Sequence, residues 1–342
     1  MQYESVFIIA EVGVNHNGSL ELAKKLIDVA VEAGADAVKF QTFITEEELV
    51  KSTPKAAYQQ QTTCAEETQF EMVKKLELNK QQHIELIQYC QQHDIEFMSS
   101  PFDLVSVNLL NELDVKRIKI PSGEITNVPF LRAIAALNKP VILSTGMAYL
   151  AEVEFALSHL KAGGLDEQQI AILHCTSEYP AAMELVNLNA MTTLKQQFGL
   201  PVGYSDHTLG AEVALASVAL GGKIIEKHIT LDKSMPGPDH AASSEPAQFK
   251  EMVRQIRNVE VALGSDIKQP TAPELATKDV VRKKIVARHS IRQGEQLTAE
   301  NLTTKRSPEG VGAEHWFEVI GGIASQDYDP DMPVEIGSHN LS

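Results

Sequence analysis

Two short β-type runs, "VGYSDH" (202–207) and "KIIEKHIT" (223–230), each carry a histidine near the carboxyl end. If His207 and His228 end neighbouring strands on one face, two neutral imidazoles suit a first-row divalent metal. Only two protein ligands would leave positions for water and substrate, whereas a structural site would be closed with four. The plainer alternative is a ring that only hydrogen-bonds a backbone carbonyl. Two lysines give a second signal. Lys39 in "AVKFQT" (37–42) and Lys119 in "RIKIPS" (117–122) each interrupt an apolar run. A buried ammonium must meet a counter-charge or an anionic ligand. Salt bridges to Glu11 or Glu124 would meet that need, and so would the phosphate and carboxylate of a small substrate. A lysine among apolar neighbours also suits a Schiff base, which would make the protein a metal-free pyruvate aldolase.

The elements that must position these residues follow one rhythm. β-rich runs at 6–11, 37–42, 96–101, 117–122, 141–146, 171–176, 202–207 and 223–230 alternate with amphipathic stretches, beginning with "ELAKKLIDVAVEAGAD" and its stop signal Gly34. Eight strand–helix repeats over about 265 residues predict an α/β fold, a (β/α)₈ TIM barrel. An open doubly wound sheet is the competing architecture, but it normally has fewer strands, and no GxGxxG follows the first run. In a barrel, the carboxyl ends of the strands converge on one mouth. That mouth would collect Glu11, Lys39, Gln41, Ser100, Lys119, Ser122, Glu124, Ser144, Thr145, Cys175, Thr176, Tyr179, Asp206, His207, Glu226, Lys227 and His228, with Asp239 reaching it from the loop after strand eight. Strand-end serines often only cap the next helix. Polar groups at nearly every strand end are harder to explain that way. The stretch 46–78 is longer than an ordinary βα loop and predicts a lid or substrate-binding excursion, with Lys55, Tyr58 and Gln59 as candidate contacts.

Residues 1–266 therefore read as the barrel and 267–284, "IKQPTAPELATKDVVRKK", as a linker. Residues 285–342 read as a small β-rich segment, marginal alone and expected to dock on its own barrel or a partner's. The formal charge of −16 argues against nucleic acid or an anionic membrane as partner. No apolar run is long enough to span a bilayer, and "MQYESVFIIAEVG" lacks a basic leader. Cys64, Cys90 and Cys175 have no CxxC spacing and cannot all pair, which predicts reduced thiols and a cytoplasmic location.

Several longer stretches resemble the sialic acid synthase (NeuB) family of nonulosonic acid synthases. They are "IIAEVGVNHNGSLELAKKLIDVAVEAGADAVKFQTF", "KIPSGEITN", "VILSTGM", "LHCTSEYP", "GYSDHT", "EKHITLD" and "PGPDH". The tail "SIRQGEQLTAENLTTKRSPEGVG" is similar to the family's antifreeze-like (SAF) domain. The resemblance implies condensation of phosphoenolpyruvate with an open-chain N-acylated amino sugar and release of phosphate. It implies His207 and His228 as ligands of Mn²⁺, with Mg²⁺ or Co²⁺ as alternatives. Lys39, Lys119, Ser122, Ser144 and Ser100 become phosphoenolpyruvate contacts. Glu11 and Gln41 line the mouth, and Glu124 exchanges a proton with the attacking water. Tyr179 and Asp239 touch the sugar. Arg306 matches an arginine lent to the neighbouring subunit's site, which implies a domain-swapped homodimer. Neuraminate synthases commonly read Asn-Ile-Tyr where this chain has Ser177, Glu178 and Tyr179. With "KAAYQQQTT" (55–63), that departure looks like the branch making N,N′-diacetyllegionaminate from 2,4-diacetamido-2,4,6-trideoxymannose. The alternative is N-acetylneuraminate made from N-acetylmannosamine.

Overall fold

The computed structural model describes residues 3–55, 59–60, 63 and 67–335, so Tyr58 and Cys64 lie outside the described residues. The chain divides into two compact units, Met1–Gly264 and Ser265–Ser342.

The first unit is a closed parallel barrel of β1 (Phe7–Gly13), β2 (Ala37–Thr42), β3 (Glu96–Pro101), β4 (Ile118–Ile120), β5 (Val141–Ser144), β6 (Ile170–Cys175), β7 (Val202–Asp206) and β8 (Ile224–His228). The strands pair in chain order, and β8 closes on β1 in a register that sets His228 beside Glu11. The long helices that follow the successive strands are Leu20–Ala33, Lys80–Gln92, Leu104–Glu112, Val128–Ala136, Leu150–Ala162, Ala190–Phe198, Glu212–Ala219 and Pro246–Leu263. The first shows why they form. Ala23, Leu26, Ile27 and Ala30 recur at helical spacing and are buried. Ser19 accepts from the Leu22 N–H at the start, and Gly34 ends the helix at φ 79°. Arg257, on the last of these helices, ties the barrel's opening strand in place by donating to the Val6 carbonyl at 2.6 Å and to Asp36 at 2.8 Å.

Between β2 and the helix Lys80–Gln92, the excursion carries short helices at Thr45–Glu48 and Gln69–Lys74. Thr68 and Glu71 form a capping box at the second. Leu76 and Val73 pack against Val14, Phe43 and Phe102, which seats the excursion on the loops after β1, β2 and β3.

The second unit has its own apolar core around Ile285, Ile291, Leu297, Leu302, Tyr328 and Val334. Its antiparallel pair is β9 (Lys283–Ala287) and β10 (Leu302–Arg306). The stretch read as a linker contains a helix, Ala272–Val281. None of that helix's residues is buried, so it lacks the apolar stripe by which a helix is recognised, but Thr271 and Glu274 form a capping box at its start. Among the described residues, no helix is long and apolar enough to cross a membrane.

Closure leaves little room at one strand. A Cβ on Gly203 would lie 2.2 Å from the Ile224 carbonyl oxygen and 2.7 Å from the Ile224 Cβ. Gly203→Ala should therefore push β7 and β8 apart and lower stability by about 3 kcal/mol or more. Urea unfolding would measure this, and an unchanged midpoint would show that the barrel absorbs the methyl without moving those strands.

Candidate active site

The period-two alternation of each strand builds the site. Inside the barrel, Ile9, Ala37, Met98, Ile142, Ala171, Leu173 and Ile224 form an apolar plug. Two residues further along the same strands stand Glu11, Lys39, Ser100, Ser144, Cys175 and Glu226, all buried. Gln41 and His228 continue this inward series. A cavity of about 420 Å³ opens above the plug, a size suited to small ligands.

At its floor, two ammonium groups share two carboxylates. Lys39 Nζ lies 2.5 Å from Glu11 Oε2 and 3.8 Å from Glu226 Oε1. Lys119 Nζ lies 3.3 Å from Glu226 Oε1. Ser205 donates to the same Glu226 oxygen at 3.0 Å, and Lys39 also donates to Ser100 at 3.2 Å. Burial disfavours each charged form, so neighbours decide the outcome. For Lys39, Glu11 and Glu226 outweigh burial and hold it above its ordinary pKa. For Lys119, burial wins over Glu226, the adjacent Lys39 charge adds to it, and the pKa falls. Glu226 is pressed down because the two lysines outweigh its burial. Glu11 is pushed up because burial outweighs Lys39. The second lysine partner is thus Glu226 and not Glu124. Glu124 ends a tight turn after β4, accepts from Asn127 Nδ2 at 2.5 Å and does not line the cavity.

Above this set stand the histidines, with ring centroids 5.5 Å apart. His207 Nδ1 lies 2.7 Å from the Thr176 carbonyl oxygen. A carbonyl only accepts, so Nδ1 carries the proton and Nε2 keeps its lone pair. His228 Nδ1 is buried without a hydrogen-bond partner among the described residues. Burial pulls both rings below the ordinary histidine pKa, and each is neutral at pH 7. Two neutral imidazoles, one with its tautomer fixed and one with an unused buried nitrogen, fit a divalent metal with two protein ligands. Among the described residues, no group of three or more His, Cys, Asp or Glu is arranged to hold one. Tyr179 packs its ring 4.1 Å from that of His207.

Supporting residues behind the site fix these positions. Lys227 and Asp206 do not reach the mouth as the strand-end pattern predicted: alternation turns both to the outer side of the strand ends, where they are buried and pair at 2.7 Å. Lys227 also donates to the Thr208 carbonyl, and Asp206 accepts from the Thr208 N–H and hydroxyl. His207 is thereby bracketed and its strand end locked to that of His228. Asn15 donates to the Ile229 carbonyl and to Ser243, each at 2.8 Å, and Ser243 donates to the Asp239 carbonyl. That chain holds Asp239 at the cavity, where burial raises its carboxyl to about 6 against a smaller opposing effect of Lys39. A Cβ on Gly146 would fall within 2.9 Å of Ser122, Cys175 and Ser177, so only glycine lets these three converge.

Of the residues singled out in the sequence, Glu11, Lys39, Gln41, Gln59, Ser100, Lys119, Ser122, Ser144, Ser177, Tyr179, His207, His228 and Asp239 line the cavity. Glu178 is exposed beside it, and Lys55 is turned within the excursion toward Thr63 and Glu67. Arg306 ends β10 in the second unit and is exposed. Glu226, placed at the mouth by the strand-end pattern without a role of its own, lines the cavity, and so does Glu48, which the sequence did not single out. The inward spacing Ile224–Glu226–His228 was the available signal for the first.

This is a barrel enzyme, with two buried lysines beneath two neutral histidines at its mouth. The chain belongs to the NeuB family, whose profile matches residues 26–268, and the SAF domain profile matches residues 282–334. It is 52% identical to the N,N′-diacetyllegionaminic acid synthase of Campylobacter jejuni over 96% of this chain and 98% of that protein. It is 47% identical to the protein of the same name from Legionella pneumophila, over 94% and 91%. Among solved structures it is similar to the N-acetylneuraminic acid synthetase of Leptospira borgpetersenii crystallised with citrate. The TM-score is 0.71 and the identity 36%, covering 81% of this chain and 93% of that one.

The Asp206–Lys227 pair generates a direct test. Lys227→Met would strand a buried carboxylate and should cost about 3–5 kcal/mol in urea unfolding. Asp206→Asn combined with Lys227→Met should recover part of that loss. Equal losses in the single and double variants would show that the pair is not coupled.

Proposed function

We propose that the chain is an N,N′-diacetyllegionaminate synthase, joining phosphoenolpyruvate to open-chain 2,4-diacetamido-2,4,6-trideoxymannose with release of phosphate. The observation that carries the reading is the pair of buried lysines beneath two neutral histidines. Higher identity to the two legionaminic acid synthases than to the neuraminic acid synthetase favours this sugar over N-acetylmannosamine.

Lys39 and Lys119 receive the phosphate and carboxylate of phosphoenolpyruvate, with Ser100, Ser122 and Ser144 as hydroxyl partners. Charge-assisted contacts of this kind are the strong ones. His207 and His228 would hold a divalent metal, proposed as Mn²⁺, which would supply Lewis-acid polarisation of the sugar aldehyde. C3 of the enol then forms a bond to the aldehyde carbon, whose oxygen takes up a proton. Water adds to C2 and gives up a proton. Cleavage of the bond between C2 and the phosphate oxygen expels phosphate, which takes up the proton of the new C2 hydroxyl, and leaves the 2-oxo acid. Glu11 and Asp239 face the cavity with raised pKa values, which suits proton exchange near neutral pH. Glu124, just beyond the cavity-lining Ser122 and Gly123, is the third candidate for that exchange, its carboxyl also raised by burial. Tyr179 contacts the sugar. The active unit is a homodimer in which Arg306 of one chain completes the cavity of the other, since a guanidinium fork suits an amide carbonyl or a hydroxyl.

The test is phosphate release with Mn²⁺ and each candidate sugar. The diacetamido sugar should give kcat/KM more than about tenfold above N-acetylmannosamine, in line with discrimination by one extra recognised group. Excess chelator, or His228→Ala, should reduce turnover by more than about a hundredfold. Mixing Arg306→Ala with His228→Ala after subunit exchange should restore some activity through half-mutant dimers. Preference for N-acetylmannosamine would make the chain a neuraminate synthase. A borohydride-trapped lysine–pyruvate adduct would overturn the synthase class altogether.

A further inference from the structure

The end of the cavity beneath the excursion differs in character from the lysine floor. Gln69, Met72, Val73 and Leu76 recur at i, i+3, i+4 and i+7 and all line the cavity, so one face of the segment 69–76 is turned to it. Glu48, from the short helix Thr45–Glu48, lines the same cavity. Its Oε2 is buried and has no hydrogen-bond partner among the described residues. The start of the short helix carrying Glu48 is anchored twice. Asp103 accepts from the Ile44 N–H at 2.8 Å, and Glu77 accepts from the Thr45 hydroxyl at 3.0 Å. A positioned but unpaired carboxylate oxygen in a cavity is costly unless a ligand donates to it.

We propose that Glu48 and the face of Met72, Val73 and Leu76 form the subsite for the sugar's 4-acetamido group, making them specificity-determining residues. The amide N–H donates to Glu48, the acetyl methyl lies on the three apolar side chains, and Gln69 offers a donor to the acetyl oxygen. A sugar with a C4 hydroxyl would leave the apolar face against water or an unpaired oxygen, which such a surface disfavours. Burial, aided by Asp103 and Glu124, lifts the Glu48 pKa to about 7, and either protonation state retains an oxygen that accepts the N–H. The inference rests on the synthase reading above.

The test compares two sugars that differ only at C4, 2,4-diacetamido-2,4,6-trideoxymannose and 2-acetamido-2,6-dideoxymannose, by kcat/KM from phosphate release. Glu48→Ala and Met72→Ser should each lower the value for the first by about tenfold, as expected for loss of one buried polar or apolar contact. The value for the second should stay within about threefold, and KM for phosphoenolpyruvate should not change. Glu48→Gln, which retains an accepting oxygen, should lose less than Glu48→Ala, and it carries the comparison if the alanine variant does not fold. An unchanged ratio between the sugars in these variants would overturn the subsite while leaving the synthase reading intact. A wild-type enzyme that releases no phosphate with either sugar would overturn both.

Discussion

Two ammonium groups stand inside a barrel whose lower interior is hydrocarbon, and the rest of the site is arranged around that cost. Lys39 and Lys119 sit directly above Ile9, Met98 and Ile142, where no bulk water reaches them. Glu11 and Glu226 offset the loss of hydration, Ser100 accepts from Lys39 and Ser205 donates to Glu226. Glu226 Oε2 and the Ser144 hydroxyl have no hydrogen-bond partner among the described residues. Buried ion pairs of this kind are often no more stabilising than well-packed apolar residues. Their presence is better explained by what they receive. Lys39 is held by Glu11, Ser100 and Glu226, whereas Lys119 meets only the shared Glu226, so an incoming anion finds donors already held in place.

Positions above the floor depend on groups that never meet the substrate. The Asp206–Lys227 pair lies on the opposite face of the strands that carry His207 and His228. Strand alternation therefore couples a hidden ion pair to the spacing of two imidazoles. On the other side of the mouth, Asn15 spans from the loop after β1 to the loop after β8 and fixes the backbone of Asp239 through Ser243. The barrel supplies rigid strand ends, and short polar chains between loops refine them.

Much of this was legible in the sequence because a barrel strand declares itself twice, by an apolar run and by the polar residue that ends it. Lys39, Lys119, His207 and His228 could be placed from that pattern alone. Glu226 was harder because "EKH" offers three polar residues in a row, and only the inward–outward alternation from Ile224 separates Glu226 from the outward Lys227. Glu124 stands just outside the cavity lining because β4 ends at Ile120 and the chain turns before reaching it. Glu48 was not legible at all: its setting depends on Asp103 and Glu77, distant in the chain, and no local periodicity marks it. The helix Ala272–Val281 has no buried residue and announces itself only through Thr271 and Glu274.

The central claim is that the buried lysines are an anion receiver and not merely a core salt bridge. Calorimetric titration of phosphoenolpyruvate into the protein without sugar tests it most directly, comparing the wild type with Lys119→Met. Because Glu226 keeps Lys39 as a partner in that variant, the barrel should remain folded while affinity falls by more than about tenfold, as for loss of one charge-assisted contact. Equal affinity in the two proteins would contradict the account and leave Lys119 as a structural partner of Glu226 alone.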